Sequence, residues 1–404
     1  MPERRDKRSP WIAGGVGLAG LIAAGGVGWV AWNNGSSHEQ PVAPVTAAVS
    51  PQRQVDHAGL DEIAEGIQKG DGLALAMLQK RLLVADDAVP LPAISSEESV
   101  VWQSILTSLM KGNSRYSAYG RANVVTLAGR IVEQYGVDPA PADWPATLVP
   151  FSEIAAAGLA DTDIRVRMAT LQQVARLWNW APGRDMHPGQ LDHVAAWKEG
   201  LLSLANRGLA DASPEVRATA VATLAALSLD EQASNAIARL EDPSPAVRLQ
   251  VLSSFAARRT LLDEEAIIPF LCDPQPGMAS TAEKILKERG LTESQIGLAH
   301  MVSHPIEAMR LSAVDAVADR ADIDSTLWLI YLSRDRSEAV RAKALEALSK
   351  SDRPEARKRL SEMAAQDPSD DIRQAAAKVA PSDAETTASL PTLPGSAALY
   401  PKAN

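Results

Sequence analysis

The sequence predicts an all-α chain, an α-solenoid preceded by one transmembrane helix and a helical N-terminal cap. Three observations carry this. A motif recurs at intervals of 31 residues through the second half of the chain, and a run without a charged residue fills positions 11–32. The composition is 46% apolar but only 4% aromatic, with abundant alanine, which suits closely packed short helices better than a β-sandwich rich in aromatic and β-branched residues.

The repeat emerges when the chain is aligned with itself. LADTDIRVRMATL, LADASPEVRATAV, LEDPSPAVRLQVL, LCDPQPGMASTAE, VSHPIEAMRLSAV, SRDRSEAVRAKAL and AQDPSDDIRQAAA superpose without gaps. Their anchors are Asp161, Asp211, Asp242, Asp273, His304, Asp335 and Asp367; after a first step of 50 residues the steps are 31, 31, 31, 31 and 32. Six positions beyond each anchor stand Arg167, Arg217, Arg248, Ala279, Arg310, Arg341 and Arg373. Ser213, Ser244 and Ser337, each followed by Pro or Glu, predict serine N-caps at the start of a helix. That helix buries a stripe at i, i+4, i+8, such as Val166, Thr170 and Val174, then Val216, Ala220 and Leu224, then Val340, Ala344 and Leu348. A shorter apolar stretch precedes each anchor, so each unit is two antiparallel helices joined at the aspartate turn. One such pair cannot bury its apolar faces, whereas seven stacked pairs share a core.

The pattern D-x-x-x-x-V-R followed by A-x-x-x-L, from Phe151 to Ala380, resembles the HEAT repeats, in particular the short variety of about thirty residues named after phycobilisome lyases. The resemblance implies an armadillo-type superhelix. It also implies a ladder between neighbouring repeats, formed here by Asp161, Arg167, Asp211, Arg217, Asp242, Arg248, Arg310, Asp335, Arg341, Asp367 and Arg373. Such repeats specify fold strongly and function hardly at all.

From Trp11 to Trp32 the segment WIAGGVGLAGLIAAGGVGWVAW is long enough, at about 1.5 Å per residue, to cross a bilayer core. Trp11 at one end and Trp29 and Trp32 at the other suit the headgroup boundary. Arg4, Arg5, Lys7 and Arg8 precede the segment, and the next basic residue after it is Arg53. The positive-inside rule therefore predicts a single-pass protein of the cytoplasmic (inner) membrane, with its N-terminus in the cytoplasm and the repeats outside it. The alternative is export followed by signal cleavage near Gly35 or Ser37. Gly20, Ala24 and Gly28 offer a small-residue face for helix–helix association.

The chain thus divides into a basic cytoplasmic N-terminus (1–10), the transmembrane helix (11–32), a flexible linker (33–56), a helical cap (57–150), the repeats (151–380) and a disordered tail (381–404). Four helices are expected in the cap, with Ser95 and Glu98 as a capping box and Gly136 as a terminator, although the cap does not follow the 31-residue register. The longer first step between anchors inserts Trp178, Trp180, His187, His193 and Trp197. Leu191, Val194, Leu201 and Leu204 extend the following helix, leaving WNWAPGRDMHPG as a loop. Because aromatic anchors dominate binding energy, Trp178, Trp180, His187 and Trp197 are candidate partner-binding residues. The alternative is that these tryptophans pack locally over the first repeat.

No active site is expected. His300 and His304 stand at i, i+4 without an HExxH frame, and Cys272, the single cysteine, reads as a small buried filler. No cofactor or metal is expected. Residues 57–380 hold 34 basic against 44 acidic residues, which argues against a nucleic acid partner. The expected function is a non-catalytic, membrane-anchored scaffold or adaptor for protein–protein interaction in the cell envelope. The alternative is a lyase-like or enzyme-accessory protein holding a small-molecule or cofactor-bearing partner.

Overall fold

A computed structural model describes residues 57–84, 96–135, 144–178, 188–227, 230–318, 320 and 323–380. The expected membrane span, linker and tail lie outside these residues, as do Ser95 and Gly136. Among the described residues, no helix is long and apolar enough to cross a membrane.

The described residues form helices and no strands, arranged as nine successive pairs. The first two pairs are α1 (His57–Lys69) with α2 (Gly72–Val84), and α3 (Ser96–Gly112) with α4 (Ala118–Tyr135). Then come α5 (Trp144–Leu159) with α6 (Ile164–Trp178), and α7 (Pro188–Gly208) with α8 (Pro214–Leu227). In the next two pairs a 3₁₀ turn completes the first helix: α9 (Asp230–Ile237) runs into Ala238–Glu241 before α10 (Pro245–Phe255), and α11 (Glu264–Ile267) runs into Ile268–Cys272 before α12 (Pro276–Glu288). The last three pairs are α13 (Glu293–Ser303) with α14 (Glu307–Ala318), α15 (Ser325–Leu332) with α16 (Glu338–Leu348), and α17 (Pro354–Gln366) with α18 (Asp370–Val379).

Like packs on like. The first helices α1, α3, α5 and α7 stack in sequence, and the second helices α2, α4, α6, α8, α10 and α12 do the same, as do α14, α16 and α18. The four helices ahead of the clear repeats are therefore two further pairs in the same stack. The stripes expected from spacing are buried: Val166, Thr170 and Val174 in α6, Val216, Ala220 and Leu224 in α8, and Val340, Ala344 and Leu348 in α16. Apart from Thr170, they belong to one apolar cluster running from Leu60 to Ala376. Gly70, at φ +81°, ends α1 in a conformation that favours glycine. Gly112 lets α3 approach α1, since a Cβ there would lie 2.2 Å from the Ile67 carbonyl oxygen.

Two local expectations change. The segment VDPAPADWPATLVP, 137–150, reads in sequence as a connection between the cap and the first clear repeat, yet α5 begins at Trp144 and runs through Pro150. The buried stripe Leu148, Phe151, Ile154 and Ala155 outweighs the proline penalty of about 3 kcal/mol, because each large apolar side chain contributes some 2 kcal/mol on burial. The predicted serine caps are only partly made. Ser213 accepts the Val216 N–H at 3.4 Å, whereas Ser244 and Ser337 accept no capping bond; Ser369, which the spacing did not single out, accepts the Ile372 N–H. The anchor carboxylate organises the turn instead: one oxygen accepts the N–H two residues on at Asp161, Asp211, Asp242, Asp273, Asp335 and Asp367, at 2.7 to 2.9 Å.

Candidate partner-binding surface

The polar chemistry of the anchors is directed at neighbouring repeats. The Arg167 guanidinium forks onto the Asp211 carboxylate at 2.8 and 3.1 Å, and Arg217 onto Asp242 at 2.8 Å for both bonds. Arg248 reaches Asp273 at 3.0 Å, Arg310 reaches Asp335 at 2.7 Å, and Arg341 reaches Asp367 at 3.0 Å. Each arginine also donates through Nη1 to the carbonyl of its own anchor, as Arg217 does to Asp211 at 2.9 Å and Arg310 to His304 at 2.8 Å. One side chain therefore closes its own turn and bolts on the next. Arg373, in the last pair, donates to the Asp367 carbonyl and pairs with Asp370 in its own helix.

The ladder begins earlier than the sequence register suggested. Arg121 in α4 forks onto Asp161 at 2.5 and 2.8 Å and donates to the Tyr116 carbonyl at 2.9 Å. Ahead of it, the buried Tyr116 hydroxyl donates to the Ile67 and Asp71 carbonyls, joining the first pair to the second without an ion pair. The Arg121 guanidinium holds the Asp161 carboxyl below its ordinary value, and Arg217 does the same to Asp242. Conversely, Asp161 raises Arg121 and Asp242 raises Arg217. Hydrogen bonding to the charged form prevails in all four over the desolvation that opposes it.

A second arginine series, also spaced by 31 residues, stands at the C-terminal ends of the second helices. Arg258 donates to the Ala225 carbonyl and Arg289 to the Ala256 carbonyl, both at 2.7 Å, so each covers the carbonyl end of the preceding second helix. Arg320 donates to Ser294 Oγ. Arg289 is buried with Glu264 at 3.3 Å, and its removal from water lowers the guanidinium pKa.

Of the tryptophan-rich insertion, α7 claims everything from Pro188 onward, so the extended helix expected there is present. Trp197 is buried, edge-on to Phe151 with ring centroids 6.4 Å apart. Trp178 is half-buried against the core, and the Lys198 ammonium sits 5.3 Å above its ring. Trp197 thus packs against Phe151 of the first repeat and Trp178 keeps part of its surface exposed, whereas Trp180 and His187 lie outside the described residues, as does the His193 side chain.

Two recesses open along the ridge of aspartate turns. One, of about 500 Å³, spans three repeats and is lined by Glu265, Cys272, His304 and Tyr331 among others. Burial, with Glu265 and Asp335 nearby, raises the Tyr331 phenol pKa well above its ordinary value. Cys272 is half-buried and its sulfur accepts from Ser303 Oγ at 3.4 Å, so it is less enclosed than a core filler. The other recess, of about 390 Å³, lies between Ser333 and Pro368 and includes Arg334, Arg336 and Arg359. Among the described residues, no group of three or more His, Cys, Asp or Glu side chains could hold a metal ion.

Comparison with curated proteins gives no match. Among solved structures, the crystal structure of an engineered protein aligns over 82% of this chain and 95% of its own at 14% identity, with a TM-score of 0.27. A family model described as HEAT repeats matches residues 294–380. Those residues are the helix pairs from α13 to α18, which carry three of the repeat units and the Arg310–Asp335 and Arg341–Asp367 rungs.

Proposed function

We propose that this chain is a non-catalytic scaffold whose repeat array presents a continuous helical surface to a protein partner, held at a membrane by residues 11–32. The supporting observation is the ladder. Its arginines and aspartates are consumed in fixing one repeat to the next, so the most ordered polar groups of the array serve geometry. The charge distribution around residues 11–32 supports an extracytoplasmic array. A reporter active only after export, fused after Ala380, is expected to be on, and activity of a cytoplasm-only reporter would overturn that orientation.

A second reading, that of a lyase-like or accessory protein holding a small-molecule or cofactor-bearing partner, draws on the 500 Å³ recess and the short repeat length. Cross-linking in the native cell followed by isolation of the full chain separates the two. The scaffold reading predicts a protein cross-linked to exposed faces of several consecutive repeats. A bound small molecule recovered without protein would favour the second reading.

A further inference from the structure

The array departs from its own rule at one junction. The rung between the α12 and α14 repeats would join positions 279 and 304, which are Ala279 and His304. Both partners are absent together, so neither leaves an unpaired charge behind. Among the described residues, α12 and α14 are also the one successive pair of second helices that is not closely packed. In the same recess as His304, Arg334 reaches across the intervening repeat to Glu265 at 3.2 Å, tying the neighbouring repeats together. The joint is therefore bridged by an ion pair between residues of α11 and the turn after α15, and loose between its second helices.

His304 still has one anchor duty. Its Nδ1 accepts the Ile306 N–H at 3.1 Å, in the place where the other six turns use a carboxylate oxygen. That N–H lies just ahead of α14, where donors have no partner within the helix. A carboxylate remains an acceptor down to about pH 4, whereas imidazole changes charge near pH 6.5, and the protonated ring has N–H groups on both nitrogens and no acceptor.

We propose that His304 is a proton-operated latch: protonation of its ring removes the Nδ1 acceptor, releases the turn before α14 and loosens this joint while every other turn stays closed. Several of the charged groups that face it are already paired. From the stretch before α12 come Glu265 and Cys272, and α14 contributes Glu307 and Arg310. From α15 and the turn after it come Tyr331, Arg334, Asp335 and Arg336. Glu265 is engaged by Arg334 and Asp335 by Arg310, while Arg336 places a further cation against the Pro305 carbonyl at 3.0 Å. Release frees a turn that already exposes Ile306 and Met309, so mild acid changes the surface offered by the middle of the array.

The test is amide hydrogen exchange on the full chain at pH 7.5 and 5.0, corrected for the intrinsic pH dependence, comparing the segment 304–311 with the equivalent segment 335–342. Losing one net hydrogen bond predicts a rise of about five-fold in opening at 304–311 and none at 335–342. His304→Asp supplies a carboxylate and is expected to abolish the rise; His304→Asn, a neutral acceptor, serves the same purpose if the aspartate variant does not fold. An equal change in both segments, no change in either, or a rise that persists in the substituted chain would overturn the latch.

Discussion

Removing one member of a rung tests whether the ladder holds the array or merely decorates it. At the Arg217–Asp242 rung the carboxylate side chain is 2% exposed and the guanidinium 13%, with both fork bonds at 2.8 Å. Arg217→Ala leaves the Asp242 carboxylate buried with the Ser244 N–H at 2.9 Å, and it also removes the donor to the Asp211 carbonyl. Breaking such a pair from one side costs about 3–5 kcal/mol, whereas an exposed pair such as Lys350–Glu346 contributes only about 0.3–0.5 kcal/mol. Arg217→Ala with Asp242→Leu leaves no orphaned charge and is expected to cost less than Arg217→Ala alone. The Ala279 and His304 junction already shows that paired loss is compatible with the fold. Urea unfolding followed both by ellipticity and by exchange at the α8 to α10 junction gives the numbers. A cost below about 1 kcal/mol for Arg217→Ala, or a double variant worse than the single one, would refute the reasoning.

Three other outcomes are expected. Because Asp161 and Asp242 have pKa values below the ordinary 3.8, their stabilisation is present above that value and is lost as pH falls through it toward the folded values. The urea midpoint should therefore drop below about pH 4, and a midpoint flat down to pH 3 would contradict it. Ala279→Arg combined with His304→Asp rebuilds the missing rung and should slow amide exchange across the α12 to α14 junction, with either single change ineffective or harmful. Trp180→Ala should leave the unfolding free energy within about 0.5 kcal/mol of wild type and weaken partner capture; a large stability loss with unchanged capture would assign Trp180 to packing.

Much of the fold could be read from spacing. A 31-residue register repeated over five anchors, together with stripes such as Val340, Ala344 and Leu348, determines both the helix pair and its buried side. The missed parts have physical reasons. Arg121 belongs to the ladder, yet Arg115 stands six residues before it instead of an aspartate, so only half the motif is visible. The run RANVV from Arg121 parallels RATAV from Arg217, the one signal that could have found it. Arg258, Arg289 and Arg320 keep the same period but lie at helix ends, where loop lengths vary and no apolar pattern marks them. The serine cap is made at Ser213 and Ser369 but not at Ser244 and Ser337, although the anchor carboxylate closes all four turns alike, so it depends on local geometry that spacing does not record. For Trp197, an aromatic on an insertion fits binding and packing equally well in sequence, and only its position beside Phe151 on the buried side of α7 decides where the ring goes.

The central claim is that a ladder-coupled array presents consecutive repeats to a protein partner. Amide exchange of the full chain, alone and bound to the partner recovered by cross-linking, tests it most directly. The account predicts added protection on exposed faces of several successive repeats, with the Arg217–Asp242 and Arg341–Asp367 turns equally protected in both states. Protection confined to the recess around Glu265 and Tyr331, with the rest of the array unchanged, would contradict it.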